Sequence, residues 1–150
     1  MNILITSGGT SEKIDQVRSI TNHSTGQLGK FISERFLEAG YSVTLVTTPT
    51  AVQPKEHPHL RKIFIKDVAE LQTVLEKETP THQVLIHAMA VSDYSPVYMS
   101  GFQAVKEASN LEHFLHQTNQ ESKISSEEDY QVLFLKKNPK LISLVKTWNP

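Results

Sequence analysis

Cysteine is absent from the sequence, which excludes disulfide staples and thiolate zinc sites and leaves histidines and carboxylates as possible metal ligands. Charge of one sign is absent too. Fifteen basic residues face sixteen acidic ones, a net charge of −1, so no whole-chain field favours nucleic acid or anionic lipid. No apolar run approaches the ~20 residues that a membrane span needs. The opening MNILITSGG has no basic start and no small-residue cleavage pattern after a long apolar stretch, so a signal peptide is not expected and a cytoplasmic protein is. No repeat or low-complexity tract interrupts the chain. Its 150 residues fit one domain, large enough to bury roughly 70% of the unfolded surface.

What is present alternates between strand-like and helix-like patterns. Ile3-Leu4-Ile5 is a short apolar run stopped by Ser7-Gly8-Gly9, as expected of a strand covered on both faces. Leu28, Phe31, Ile32, Phe36 and Ala39 fall at helical spacing, with Gly40 as the stop. Tyr41 to Val46 reads as a second strand, Ile63 to Ile65 as a third, and Asp67-x-x-Glu70 as a capping box opening a helix through Leu71 and Leu75. Val84 to Ile86 and Val132 to Leu135 complete five expected strands. Asn138-Pro139 reads as a cap and first-turn proline before Leu141, Ile142 and Val145. The pattern predicts a three-layer, Rossmann-like α/β fold with a mostly parallel sheet. Ligands in such folds collect at the carboxyl ends of the strands, so Ser7 to Gly9, Thr47-Thr48, Ala90 to Tyr94 and Lys136 to Asn138 are expected to line one rim. Residues 95 to 128, polar and only weakly helical around Phe102 and Leu111 to Leu115, read as a flap-like excursion within that single domain.

The run TNHSTGQLG, Thr21 to Gly29, combines a carboxamide, an imidazole, hydroxyls and two glycines before a helix. It reads either as an ordinary capped helix start or as a cradle for phosphate or carboxylate. The tight dinucleotide fingerprint is missing: Gly8-Gly9 follows the strand, and Gly26-x-x-Gly29 comes roughly seventeen residues later. Ala88 to Tyr94, AMAVSDY, would let a ligand lie against backbone, with Asp93 accepting hydrogen bonds; tight packing and a turn is the plainer explanation. The seven histidines, among them His57-Pro-His59 and His113-x-x-His116, form no convincing metal site.

Taken in order, ITSGGTSEKIDQVRSITNHSTGQLG, AMAVSDY, KISS and KKNPKLI resemble the phosphopantothenate–cysteine ligases, most of all the free-standing, CTP-using bacterial type. The resemblance covers nearly the whole chain and is densest over Ile5 to Gly29. It implies an enzyme of coenzyme A synthesis that joins 4′-phosphopantothenate to L-cysteine through an acyl-cytidylate, with CTP as co-substrate and Mg2+ beside it. It implies that Asn22 meets the phosphopantothenate and the acyl intermediate, and that Lys123 is a flap lysine neutralising phosphate charge. Gly8, Gly9, Ser24, Gly26 and Gly29 would form the phosphate and nucleotide loop. Ala88, Ala90 and Asp93 would meet substrate and nucleotide, and Arg18 would be supplied to the neighbouring subunit of a homodimer. Two departures stand out. Ser125 and Ser126 replace further lysines, and relatives usually continue past the position of Pro150, so the chain reads as lacking a C-terminal part. An NAD(P)-binding Rossmann reductase and an inactive binding-only fragment are the alternatives; against the first, Thr47-Thr48 offers no carboxylate for an adenosine ribose.

Overall fold

The computed structural model describes all residues from Met1 to Pro150. They separate into two compact units: residues 1–11, 21–92 and 139–150 form the first, and residues 12–20 and 93–138 the second.

The first unit is built on a wholly parallel sheet of four strands: β1 (Asn2–Thr6), β4 (Ser42–Thr47), β5 (Leu60–Phe64) and β6 (Val84–His87), in the order β5-β4-β1-β6. The central strands are apolar on both faces because both are covered. Ile3, Ile5, Val43 and Leu45 pack under helix α1 (Gln27–Glu38) through Leu37, with Ile32 and Phe36 alongside. Leu4 and Val46 point the other way, where α2 (Val68–Glu78) and α4 (Leu141–Trp148) supply Val68, Leu71, Leu75 and Leu141. The result is the expected three-layer Rossmann-like arrangement. Gly40, at φ 89°, ends α1 in the left-handed conformation that a Cβ would oppose. The capping box at α2 is real. The Glu70 amide donates to Asp67 Oδ1 at 2.8 Å, while the Glu70 carboxylate reaches one residue further back, to the Lys66 amide at 2.9 Å.

Two expectations about helices are corrected. On α1 the stripe facing the sheet is Gly29, Ser33 and Leu37, whereas Leu28 and Phe31 are exposed. The reason is contact distance: small residues let the helix settle on β1, so large side chains one position away turn outward. At α4 the N-cap is Lys140, without a side-chain cap, while the Asn138 carboxamide lies 2.8 Å from Ser95 Oγ instead.

The second unit contains β7 (Tyr94–Gly101) and β8 (Gln131–Lys137), an antiparallel pair with a register shift between Pro96 and Tyr98. Val132 to Leu135 is therefore a strand as expected, but its partner is β7 and not the parallel sheet. Proline sits at the irregularity, where its missing donor costs least. Between these strands come the short helix α3 (Phe102–Glu107) and a 3-10 turn over Leu111–His116, both where weak helical patterns pointed. Phe114 is buried and stacks between Tyr98 and Phe134, with ring centroids 6.2 and 5.3 Å away. A separate two-stranded ladder joins β2 (Ser11–Lys13) to β3 (Ser19–Thr21).

Candidate functional site

The carboxyl ends of the first unit's strands are knit together beyond the regular sheet. After β1 the chain continues alongside the residues after β6. The Ala90 amide donates to the Gly8 carbonyl at 2.9 Å, and the Thr10 amide donates to the Ala90 carbonyl at 3.0 Å. Gly9 and Ala90 thereby form an isolated parallel bridge. The buried Thr10 hydroxyl accepts from the Ser92 amide at 2.8 Å and meets Ser92 Oγ at the same distance. Ser7 is fully buried, with its hydroxyl 3.1 Å from Thr47 Oγ1. Ser7 to Gly9, Thr47-Thr48 and the start of the Ala90 segment thus share one rim, as expected.

Glycine at two of these positions follows from geometry. Gly8 has φ 93°, and a Cβ there would lie 2.8 Å from Thr48 Oγ1. That hydroxyl is buried without a hydrogen-bond partner, an orphaned polar atom at the rim. A Cβ on Gly9 would fall on the carbonyl oxygen of Asn22. The Asn22 amide donates to the Thr10 carbonyl at 3.0 Å, so the Asn22 backbone lies on the ledge made by Gly9 and Thr10. Asn22 itself is half-buried, and its carboxamide is not spent on the protein.

Ser24 is exposed in the loop that leads to α1. Gly26 caps α1 with φ 81°, and a Cβ there would approach Ala51 Cβ to 2.9 Å. The Gln27 amide here donates to Thr25 Oγ1 at 3.3 Å, and the first turn carries no acid, so its remaining amides and dipole favour an anion. Gly29 serves another purpose, because a Cβ there would fall on Ser7 Cβ. Ala88 is half-buried, and its amide continues the β1 ladder by donating to the Thr6 carbonyl at 3.1 Å.

Beside Ala88, His87 shares a 2.7 Å hydrogen bond through Nδ1 with Thr6 Oγ1, which also accepts from the Met89 amide at 3.3 Å. Burial, then the nearby Lys140 ammonium, push the His87 pKa below its ordinary value. The imidazole is thus kept neutral, able to accept the Thr6 proton.

In the second unit, Asp93 and Lys123 are exposed. The Asp93 carbonyl accepts from the Asn138 amide at 2.8 Å. Arg18 is held by its own chain: Nε and Nη2 donate to Asp15 Oδ2 at 3.1 and 2.7 Å, and Nη2 also donates to the Ile124 carbonyl at 2.8 Å. About a third of the Arg18 side chain stays exposed, whereas that of Asp15 is fully buried. The guanidinium, joined by the Ile124 amide, holds the Asp15 carboxyl well below the usual carboxylate range.

Sequence reasoning named the glycines, Asn22 and Ala88 to Asp93, and all except Asp93 fall in the first unit, as does Ser24. It expected Thr48 and Ser92 on the rim, through the Thr47-Thr48 and Ala90 to Tyr94 stretches, but it singled out neither Thr10 and His87, which help to position that ledge, nor Asp15. The available signal for Asp15 was its spacing, three before Arg18. The contact of Thr10 with Ser92, far apart in sequence, gave none.

A family model described as the DNA/pantothenate metabolism flavoprotein C-terminal domain matches residues 1–148. The Coenzyme A biosynthesis bifunctional protein CoaBC of Vibrio cholerae is 32% identical over 145 residues, covering 95% of this chain and 31% of that protein. The chain therefore spans about a third of the length of the curated relatives it matches. The crystal structure of the DNA/pantothenate metabolism flavoprotein from Streptococcus pneumoniae superposes with a TM-score of 0.95 at 57% identity, over 100% of this chain and 66% of that one. A Cab2 mutant in complex with phosphopantothenate-cysteine shares the fold, with a TM-score of 0.67 at 19% identity over 99% of this chain and 60% of that one. With residues 1–148 matched, the chain belongs to the DNA/pantothenate metabolism flavoprotein C-terminal domain family.

Proposed function

We propose that this chain carries the ligase site that joins 4′-phosphopantothenate to L-cysteine in coenzyme A synthesis. The observation that supports it most is the ledge at the carboxyl ends of β1 and β6, where Gly8, Gly9 and Ala90 present backbone beside the anchored Asn22. The name of the CoaBC relatives agrees with this reading.

On this reading the pantothenate carboxylate attacks the α-phosphorus of CTP, and pyrophosphate leaves with the bonding pair. The cysteine amine then attacks the acyl carbon of the mixed anhydride, CMP leaves, and the amine loses a proton. A carboxylate is a poor electrophile, so activation supplies the leaving group. What remains for the protein is positioning and charge stabilisation. Asn22 would donate a side-chain carboxamide N–H to the acyl carbonyl oxygen. Gly8, Gly9, Ser24 and Gly26 would receive phosphate oxygens, with the start of α1 adding its dipole. Gly29 would let that helix start sit close to the strand end. Ala88 and Ala90 would leave room for the substrate, Asp93 would accept from the nucleotide, Lys123 would offset phosphate charge, and Arg18 would be supplied to the site of the neighbouring subunit. No three His, Asp or Glu side chains converge as a ready metal site. Mg2+ accompanying CTP would be held mainly by phosphate oxygens and water, as is usual for this ion.

The same reading makes the enzyme a cytoplasmic homodimer. Val17, Leu111, Leu115 and Tyr130, all in the second unit, are exposed apolar side chains of the kind that subunit contacts cover. No helix of the chain is long and apolar enough to cross a membrane.

The test is to supply the chain with 4′-phosphopantothenate, L-cysteine, CTP and Mg2+ and to follow pyrophosphate and CMP. Product of the ligated mass, with one pyrophosphate released per ligation, is expected. Calorimetry showing no affinity for either phosphopantothenate or CTP would sink the reading. Sedimentation showing only monomers would remove the dimer from it.

A further inference from the structure

We infer that Asp15 is a positioning residue, whose buried carboxylate ties the 15–18 turn to Ile124, beside Lys123, and so fixes how that lysine is presented. The inference rests on the reading of Lys123 as a phosphate-binding group.

The two oxygens of the Asp15 carboxylate have different partners. Oδ1 accepts from the amides of Val17 and Arg18 at 2.9 and 2.8 Å, an ordinary Asx turn. A turn needs nothing more. Oδ2 is nevertheless fully used: it accepts from Arg18 Nε and Nη2 and, at 3.0 Å, from the amide of Ile124, 109 residues along the chain. Arg18 Nη2 also donates to the carbonyl of Ile124 at 2.8 Å, so both backbone groups of Ile124 end on one ion pair. From the same turn, the Gln16 amide donates to the Ser122 carbonyl at 2.9 Å. Lys123 is therefore bracketed, with its neighbours fixed by backbone bonds and the Ile124 side chain buried, while its own side chain is exposed.

This arrangement matters because of where it occurs. Residues 117–130 lack regular secondary structure. In such a segment a lysine explores many directions, and ordering it at the moment of binding costs affinity. A carboxylate held ionised by a guanidinium and by peptide amides removes that cost beforehand. Charge-assisted bonds of this kind are about twice as strong as neutral ones.

Asp15→Asn separates turn from tie. Asparagine keeps an oxygen for the Asx turn but replaces the other acceptor by an NH2 that faces the donors of Arg18 and Ile124. We would measure amide exchange over residues 117–130 and over the sheet, and the affinity for CTP with Mg2+ by calorimetry. The set is Asp15→Asn, Asp15→Glu, Lys123→Gln, the double variant Lys123→Gln with Arg18→Gln, and the triple variant that adds Asp15→Asn. Exchange around Ile124 should rise at least tenfold in Asp15→Asn, with β1, β4 and β6 unchanged. CTP should bind about fivefold more weakly in Asp15→Asn, with partial recovery in Asp15→Glu. In a background of Lys123→Gln with Arg18→Gln, Asp15→Asn should change that affinity no further, because its effect passes through the lysine and the arginine it holds.

Unchanged exchange overturns the tie. Faster exchange with wild-type CTP affinity, in a protein where Lys123→Gln does weaken binding, overturns the positioning claim alone. If Lys123→Gln binds CTP as wild type does, the reading of Lys123 fails and the positioning claim fails with it. Should Asp15→Asn not fold, Arg18→Gln removes the bond to the Ile124 carbonyl while leaving the Asx turn. Faster exchange around Ile124 in that variant supports the tie, and unchanged exchange overturns it.

Discussion

Gly29 of α1 lies directly on Ser7 at the end of β1, so close that a single methyl group on the glycine would overlap the serine Cβ. The contact seats the start of α1 against the strand end and puts Gly26 next to Ala51. Gly29→Ala is expected to destabilise the protein by about 1–3 kcal/mol through overpacking, less the ~1 kcal/mol that alanine gains in helix propensity. Urea unfolding measures it. A variant as stable as the parent would mean that Gly29 is needed for a ligand and not for packing.

The Thr10 hydroxyl is the next point of leverage. It takes the Ser92 amide and faces the Ser92 hydroxyl, both out of solvent. Thr10→Val keeps the shape and strands those groups, at a cost of about 1–3 kcal/mol. Thr10→Ser should restore most of the loss. If valine is tolerated without change in the urea midpoint, the hydroxyl pair does not hold the strand-end segment.

Asn22 should behave in the opposite way. Its backbone carries the structural contact and its side chain does not, so Asn22→Ala should alter stability by about 1 kcal/mol or less. Ligation of phosphopantothenate should nevertheless stop. Product formation at the parental rate would remove Asn22 from the proposed chemistry.

The pH dependence has a definite sign at His87. Its folded pKa lies below the ordinary 6.5, so the folded protein favours the neutral ring. The unfolded chain then binds more protons, and the contribution is complete above about pH 6.5 and is lost as pH falls through the folded value. His87→Gln, which keeps an acceptor for Thr6 but cannot titrate, should flatten the stability profile between pH 7 and 5, a window set by the ordinary histidine range. Asp15 and Glu78 are also shifted down, each chiefly by a hydrogen-bonded arginine, and act only at more acid pH. An equal slope in parent and variant from pH 7 to 5 would assign the titration to other groups.

The strands legible in the sequence were those whose apolar runs need no partner to be recognised, such as Ile3 to Ile5 and Val43 to Val46. The motif order likewise carried the family, and the kinship is borne out. Tyr94–Gly101 was not legible, because nearly all of it fell within the polar excursion expected over residues 95–128, and its irregular pairing with β8 is long-range. The partner of Val132 to Leu135 was hidden for the same reason: pairing is a long-range property. On α1, hydrophobicity pointed to Leu28 and Phe31, but the buried stripe was chosen by closeness of approach, which favours Gly29 and Ser33. Arg18 was singled out through the resemblance and Asp15 was not, since a carboxylate's partners at distant peptide amides leave no local pattern.

Leu4 and Leu141 belong to the same apolar cluster, although nearly the whole chain separates them. A protein emerges from the ribosome from its N-terminus onward, so the Leu4 face of β1 has only the α2 side of its cover until α4 has been made. The chain thus has to hold Leu4, Val46 and Leu71 in a provisional state while residues 93–138 are synthesised. Native contacts of such long sequence separation slow folding and prolong the exposure of apolar surface. The order of synthesis, and not the strength of any one contact, sets when this fold can first close.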